Sequence, residues 1–255
     1  MRGAALTLAA AAALALSPPA GAAEGMAGAW SFDEPGAAPG ATSAVAGRYG
    51  RALAFDGVDD RVLLPRSAAG AAMTLEAWVR PAALGGGLWR AAAVQELPNG
   101  TAGLYAGRGD GRPAGLAGPY GLAGRGRLPL NAWSHLATTY DGATLRLYVD
   151  AEQVAAAPLP GGLPGGPGTL SLGGTGAWGE HFAGLIDEVR VYDRALGPAE
   201  LRRDRDTPLS TPALRTRGGR VAPRPRRTRL AARAYGERPA APRRPASTHR
   251  VRWLR

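Results

Sequence analysis

Between residues 27 and 193 apolar and polar positions alternate in short runs, each closed by Gly, Pro, Asn or Asp. In TLRLYVD, Leu145, Leu147 and Val149 fall on one side of an extended chain, and Thr144, Arg146, Tyr148 and Asp150 on the other. The same parity groups Leu75, Ala77 and Val79 against Glu76, Trp78 and Arg80. Strands are predicted over 27–33, 51–55, 61–65, 73–80, 88–95, 102–107, 132–140, 143–150, 152–157, 168–174 and 183–193. YDGA at 140–143 sets Asp-Gly between two of them, a hairpin signal. The rhythm is that of an all-β, two-sheet antiparallel sandwich or jelly roll. One short helix is predicted over 196–204, where Pro198 stands near the start and Glu200 in the first turn. PLPGGLPGGPG at 158–168 cannot hold a ladder and reads as a loop.

Composition changes the picture at both ends. Residues 1–23 run from Arg2 through an apolar stretch, Ala4 to Leu16, to Pro18-Pro19 and the small residues Ala20-Gly21-Ala22-Ala23. That order is read as a secretory signal peptide, and the run is shorter than the roughly 20 residues that span a bilayer. The chain is therefore expected to be secreted, with no membrane span. The formal charge of +11 hides an asymmetry: residues 207–255 carry 14 arginines and one acid, Glu237, whereas residues 1–206 carry 17 arginines and 19 acids. The Pro- and Arg-rich segment 207–255 lacks a sustained period and is expected to be a disordered basic tail. Three origins remain open for it: a solvated tail on a surface-binding protein, a binder of anionic polymer, or the product of a frameshift or truncation in a GC-rich gene. Nucleic acid is not the expected partner, because an exported chain has little call for it and within 207–255 only Tyr235 and Trp253 could stack on bases.

Candidate chemistry is sparse. The chain has no cysteine and three scattered histidines, His135, His181 and His249, which argues against disulfides and a zinc site. LAFDGVDDRV at 53–62 places Asp56, Asp59 and Asp60 around Gly57, although aspartate disfavours strands. They either cap a turn or converge on a cation. Asp187 shares strand parity with Leu185, Val189 and Val191, so an inward carboxylate in need of a partner is expected there.

AWSFDE at 29–34, GRYGRALAFDGVDDRV at 47–62, MTLEAWVRP at 73–81, LPLNAWSHLATTYDGATLRLYVD at 128–150 and FAGLIDEVRVYDRALGPAEL at 182–201 together resemble the LamG-like jelly roll domain of the concanavalin A-like lectin/glucanase superfamily. The resemblance places one such domain over residues 24–206 and implies a curved sandwich. It leaves activity open, since the fold hosts binding modules, adhesive modules and hydrolases. Similar domains often hold calcium, a hard cation suited to carboxylate oxygens, which makes Asp56 and Asp187 candidate ligands with Asp60 or Asp59 as a third. Turn capping, or pairing of Asp187 with Arg61 or Arg190, is the competing reading. For a carbohydrate or cell-surface glycan the candidates are Trp178 and Glu180, in the Gly-flanked loop GAWGEHF, together with Arg112 and Tyr120. Trp30, Trp78 and Trp133 lie in strand patterns and are assigned to the core. The superfamily's glucanases carry Glu-x-Asp-x-x-Glu along one strand, which this sequence lacks, and there is no Gly-x-Ser-x-Gly elbow. A non-catalytic binding module is expected, with a structural or adhesive spacer as the alternative and a hydrolase third.

Overall fold

A computed structural model of the protein describes residues 24–34, 43–64, 71–97, 100–159, 163, 169–176, 178–209 and 251–254. The proposed signal peptide, most of the Gly/Pro loop at 158–168 and the segment 210–250 lie outside the described residues. In chain order the elements are β1 (Met26–Trp30), β2 (Ser43–Ala46), β3 (Arg51–Asp56), β4 (Val62–Leu64), β5 (Met73–Pro81), β6 (Arg90–Leu97), β7 (Gly100–Gly107), β8 (Ala114–Gly118), β9 (Tyr120–Ala123), β10 (Ser134–Tyr140), β11 (Thr144–Val149), β12 (Glu152–Pro158), β13 (Thr169–Leu172), β14 (Ala183–Tyr192), α1 (Pro198–Asp206) and β15 (Arg252–Trp253). Two sheets stack as a sandwich. The first runs β12-β11-β10-β5-β14-β3-β2, with β1 also on β14, and the second runs β15-β9-β8-β7-β6-β13-β4. Every pairing is antiparallel except that of β15 with β9.

The jelly-roll expectation holds, and the alternation explains how. Leu145 and Leu147 of β11, Leu75, Ala77 and Val79 of β5, and Leu136 of β10 meet Ala102, Leu104 and Ala106 of β7 and Leu170 and Leu172 of β13 in one continuous core. Burying these side chains is the main favourable term for the fold, at about 1.5–3 kcal/mol for each large aliphatic one. The β10–β11 hairpin turns at Asp141-Gly142 as predicted. Asp141 Oδ1 accepts from the amides of Ala143 (3.0 Å) and Thr144 (2.8 Å), its Oδ2 pairs with Arg146 Nη1 (2.6 Å), and Gly142 takes φ +96°, where a side chain is strained. Those contacts hold the Asp141 carboxyl down at about 2, chiefly through Arg146.

The predicted helix appears one turn-fraction later, as α1. Glu200 Oε2 accepts from the Gly197 amide (3.0 Å) and its Oε1 pairs with Arg194 (2.6 Å). Leu201 drops into a second cluster with Ala137, Tyr148, Ala151, Tyr192 and Leu196, on the outward side of the first sheet. The centre of that sheet, β5 and β10 above all, is consequently buried on both faces. Among the described residues no helix is long and apolar enough to cross a membrane.

Two departures follow from local physics. Glu188 sits at φ +51° in a bulge between Asp187 and Arg190. The extra residue flips parity, so Ile186, Val189 and Val191 point into the core while Asp187 and Arg190 both point outward. Asp187 is thus corrected from an inward to an outward position. At the other end, residues 251–254 of the segment expected to be disordered form an extended piece against β9, anchored by an aromatic contact that composition does not display.

Candidate functional site

The outward face of the second sheet is set by strand parity. With Ala102, Leu104 and Ala106 inside, β7 turns Thr101, Gly103 and Tyr105 outward, where Tyr105 joins Ala91, Val94, Ala114 and Leu116 in a separate cluster with Trp89 packed against it. The Tyr105 hydroxyl donates to Glu180 Oε2 (2.9 Å), and Thr175 Oγ1 lies 3.4 Å from the same oxygen. Burial, with the carboxylate beside it, pushes the Tyr105 phenol well above its ordinary pKa. The Glu180 carbonyl takes the Ala91 amide (3.0 Å), and the His181 carbonyl takes Arg90 Nη1 (2.8 Å). The loop after β13 is therefore fastened to β6 and β7 at its root, while Trp178, 37% exposed, stands at its outer side. Thr101 Oγ1 and Ser171 Oγ, on the same side of the sheet, are buried with no hydrogen-bond partner among the described residues.

The outward face of the first sheet carries charge instead. Arg190 Nη2 reaches Glu188 Oε2 (2.9 Å) and the Thr207 carbonyl (2.6 Å), and its Nη1 lies 3.7 Å from Glu76 Oε1. Glu76 Oε2 is 3.7 Å from His135 Nε2, all of these side chains being buried. Burial, opposed by Arg190, drives Glu76 well above the usual carboxylate range and raises Glu188 as well. Burial, with Arg190 and Arg205, pushes His135 down to about 3, so this histidine is neutral and structural. Asp187 Oδ2 accepts from the amides of Arg48 (2.8 Å) and Tyr49 (3.1 Å), and its Oδ1 from Glu188 N (2.8 Å). Burial nevertheless raises it to about 7. Arg48 covers the Trp78 ring at 4.5 Å.

The carboxylates of Asp56, Asp59 and Asp60 are brought together, one oxygen of each lying within 4.8 Å of the others. Asp60 Oδ2 takes the Asp56 amide (2.9 Å) and Asp56 Oδ1 takes the Val58 amide (2.8 Å), so the group also caps its own turn. Three like charges at this spacing with hard oxygen donors suit a divalent cation of the calcium type. Asp187 is not among them, because its oxygens serve the β2–β3 turn and the bulge. Neither Arg61 nor Arg190 is its partner: Arg61 lies 3.6 Å from Glu96, and Arg190 serves Glu76 and Glu188.

The four glycan candidates separate. Trp178 is exposed on its loop, and Glu180 is buried beneath it as the anchor. Arg112 is spent in the β7–β8 turn: its Nε and Nη2 both hold Asp110 Oδ2 at 2.8 Å, alongside Arg108. Burial would raise Asp110, but Arg112 and Arg108 outweigh it and hold its carboxyl down at about 2. Tyr120 packs against the main core, because β9 turns Tyr120 and Leu122 inward and Gly121 outward. Of the three tryptophans assigned to the core, Trp30 is in it; Trp78 is buried in the charged layer, and Trp133 is half-buried. The Tyr105–Glu180 pair was readable only in part. Parity in TAGLYAG separates Tyr105 from Leu104, but nothing in the sequence joins it to a residue 75 positions away.

A family model described as the concanavalin A-like lectin/glucanases superfamily matches residues 56–202, more than half of the chain. No curated protein matches. Among solved structures, the fold is similar to domain 4 of AbnA, a GH43 extracellular arabinanase from Geobacillus stearothermophilus, in complex with arabinotriose. The TM-score is 0.59 at 22% identity, over 71% of this chain and 98% of that one. It is also similar to the binding domain of Paraclostridial Mosquitocidal Protein 1, with TM-score 0.52 at 13% identity over 65% and 45% of the two chains. Trypanosoma rangeli sialidase gives TM-score 0.51 at 20% identity over 70% and 32%. The alignment thus spans under half the length of the last two. Identities this low establish the fold alone.

Proposed function

Because the chain belongs to the Laminin_G_3 family of the concanavalin A-like lectin/glucanases superfamily, we propose that it is a secreted module that binds a glycan without cleaving it. The observation that carries this reading is Trp178, exposed on a loop whose root is pinned by the buried Tyr105–Glu180 hydrogen bond. A sugar ring offers an apolar face edged by hydroxyls, and an indole held by a rigid loop receives it at low entropic cost. Domain 4 of the arabinanase, caught with arabinotriose, makes linear arabino-oligosaccharide the first ligand to try. The non-catalytic part of the reading is supported by the lack of a Glu-x-Asp-x-x-Glu strand and by how the outward carboxylates are used. Glu180 is held by Tyr105, and Glu96 accepts from the Gly176 amide (2.6 Å) beside Arg61. Export is supported by the order of charge, apolar run and small residues over 1–23. Calcium at Asp56, Asp59 and Asp60 would supply charge neutralisation to that turn.

Affinity electrophoresis of the full chain in gels containing arabinan, and in a panel of other polysaccharides, tests the reading. Retardation by at least one polysaccharide, reduced about tenfold or more by Trp178→Ala, is expected. Migration unaffected by every polysaccharide would leave a structural spacer in its place, and release of reducing ends would make the chain a hydrolase.

A further inference from the structure

The edge of the second sheet carries an occupant of unusual origin. Residues 251–254 lie against β9 in parallel, Arg252 opposite Tyr120 and Trp253 opposite Gly121. The Arg252 amide donates to the Pro119 carbonyl (2.7 Å) and the Leu254 amide to the Gly121 carbonyl (2.9 Å). Trp253 then lies over the outward face, stacked on Trp89 with ring centroids 5.8 Å apart at 26°, and Trp89 meets Tyr105 edge-on at 5.1 Å. Arg108 stands 4.3 Å from the Trp253 ring, its Nε held by Asp110 Oδ1 (3.0 Å). Val251 packs on the outward cluster and Leu254 on the main core.

Gly121 makes room for this arrangement. A Cβ there would sit 2.9 Å from Val251 Cγ1 and 3.1 Å from Trp253 Cζ3, so the indole crosses β9 only because the strand has no side chain at that position. An open strand edge, a guanidinium, an indole floor and a glycine gap form a receptor for a short strand with one aromatic side chain, the logic of strand addition. The resident piece is small. Two backbone hydrogen bonds in parallel geometry and a Trp253 that stays 37% exposed describe a contact that opens and closes, rather than a strand built into the sandwich.

We propose that the β9 edge with Trp89, Arg108 and Gly121 is a peptide-docking site, and that the chain's own residues 251–254 occupy it as a displaceable internal ligand. The proposal does not rest on glycan binding, since it concerns β9, the β7–β8 turn and Trp89 rather than Trp178, although Trp89 packs on the Tyr105 that also anchors the Trp178 loop. Its consequence is that the Trp89 ring is covered or uncovered according to whether the segment is docked.

The test uses the full chain and a fluorescein-labelled peptide of residues 247–255, STHRVRWLR, followed by anisotropy at moderate salt. The wild-type chain should bind the peptide weakly, because its own segment is present at high effective concentration. Trp253→Ala should bind it at least about tenfold more tightly. That gain should vanish when Gly121→Val or Trp89→Ala is added, or when the peptide's tryptophan is replaced by alanine. Arg252→Pro, which removes the amide donated to Pro119 and leaves the sandwich sequence intact, should reproduce the gain if Trp253→Ala folds poorly. In the absence of peptide, Gly121→Val should abolish the exciton signal of the stacked indoles in circular dichroism and speed tryptic cleavage after Arg252. Equal peptide binding by wild type and both vacated variants, or an exciton signal untouched by Gly121→Val, would overturn the proposal. So would a dimer in sedimentation that disappears with Trp253→Ala, since the segment would then serve a second copy.

Discussion

Replacing Arg190 by methionine removes the one guanidinium between two buried carboxylates while keeping most of the aliphatic stem. Glu76 and Glu188 have no exposed surface, and Arg190 stands 3.7 Å from the first and 2.9 Å from the second. Stranding buried charges in this way costs about 3–5 kcal/mol. For a domain of this size each kcal/mol moves the melting temperature by about 2–4 °C, so Arg190→Met should lower it by roughly 6–20 °C. The pH dependence separates lost charge pairing from lost packing. Both carboxyls are raised in the folded chain, and without Arg190 they rise further. A raised carboxyl contributes stability that is complete below its unfolded value near 4.5 and is lost as pH rises through the folded value. The deficit of the variant should therefore be small near pH 4 and larger at pH 7.5. Thermal unfolding followed by near-ultraviolet circular dichroism at the two pH values measures it, and Glu76→Gln with Glu188→Gln in the variant should restore part of the loss at pH 7.5. A deficit under about 1 kcal/mol at neutral pH, or one equal at both pH values, would refute the argument.

Three further outcomes are expected. Asp187 is raised to about 7, so its contribution is complete below about pH 4 and fades as pH rises through 7; Asp187→Asn should flatten the stability–pH curve there by up to roughly 4 kcal/mol, and an unchanged slope in urea titrations would count against it. Calcium at about 100 times its dissociation constant should add about 2.7 kcal/mol, a shift of roughly 5–10 °C that Asp59→Asn with Asp60→Asn removes. A melting temperature indifferent to calcium and chelator would leave the three aspartates as turn caps. Tyr105→Phe strips the buried Glu180 of its hydroxyl donor and should cost about 1–3 kcal/mol while making Trp178 emission easier to quench; quenching identical to wild type would detach the loop from its anchor.

What the sequence disclosed depends on the range of the interaction that decides each feature. The core strands were legible because side chains such as Leu145 and Leu147, or Leu75 and Ala77, repeat with period two and the sheet adds no further condition. The Asp141-Gly142 hairpin was legible because its hydrogen bonds close within five residues. β2, β8 and β9 escaped, since SAVA, AGLAG and YGLA are too short and too small to show a period. Tyr120 was misassigned because its side depends on where β9 joins β8. Asp187 was placed on the wrong side because one residue of bulge, set by the pairing of β14 with β5, reverses every position after it. Trp178 was legible as a loop tryptophan by its flanking glycines, whereas Glu180 is engaged by Tyr105, a partner distant in the chain, and Arg112 by Asp110 within its own turn, a local pairing that the sequence pattern alone did not assign.

The bulge at Glu188 has a mechanical outcome. By turning Asp187 and Arg190 the same way, it gives the first sheet a polar reverse side that needs shielding, and the β2–β3 turn and α1 supply the shield. The molecule is therefore three storeys rather than two, and the outermost is held by proton-sensitive contacts beside the small apolar cluster around Leu201, while the inner seam is held by hydrocarbon alone. Amides of α1 should exchange with solvent ahead of those in β5 and β10, marking a detachable roof over a sandwich that stays shut.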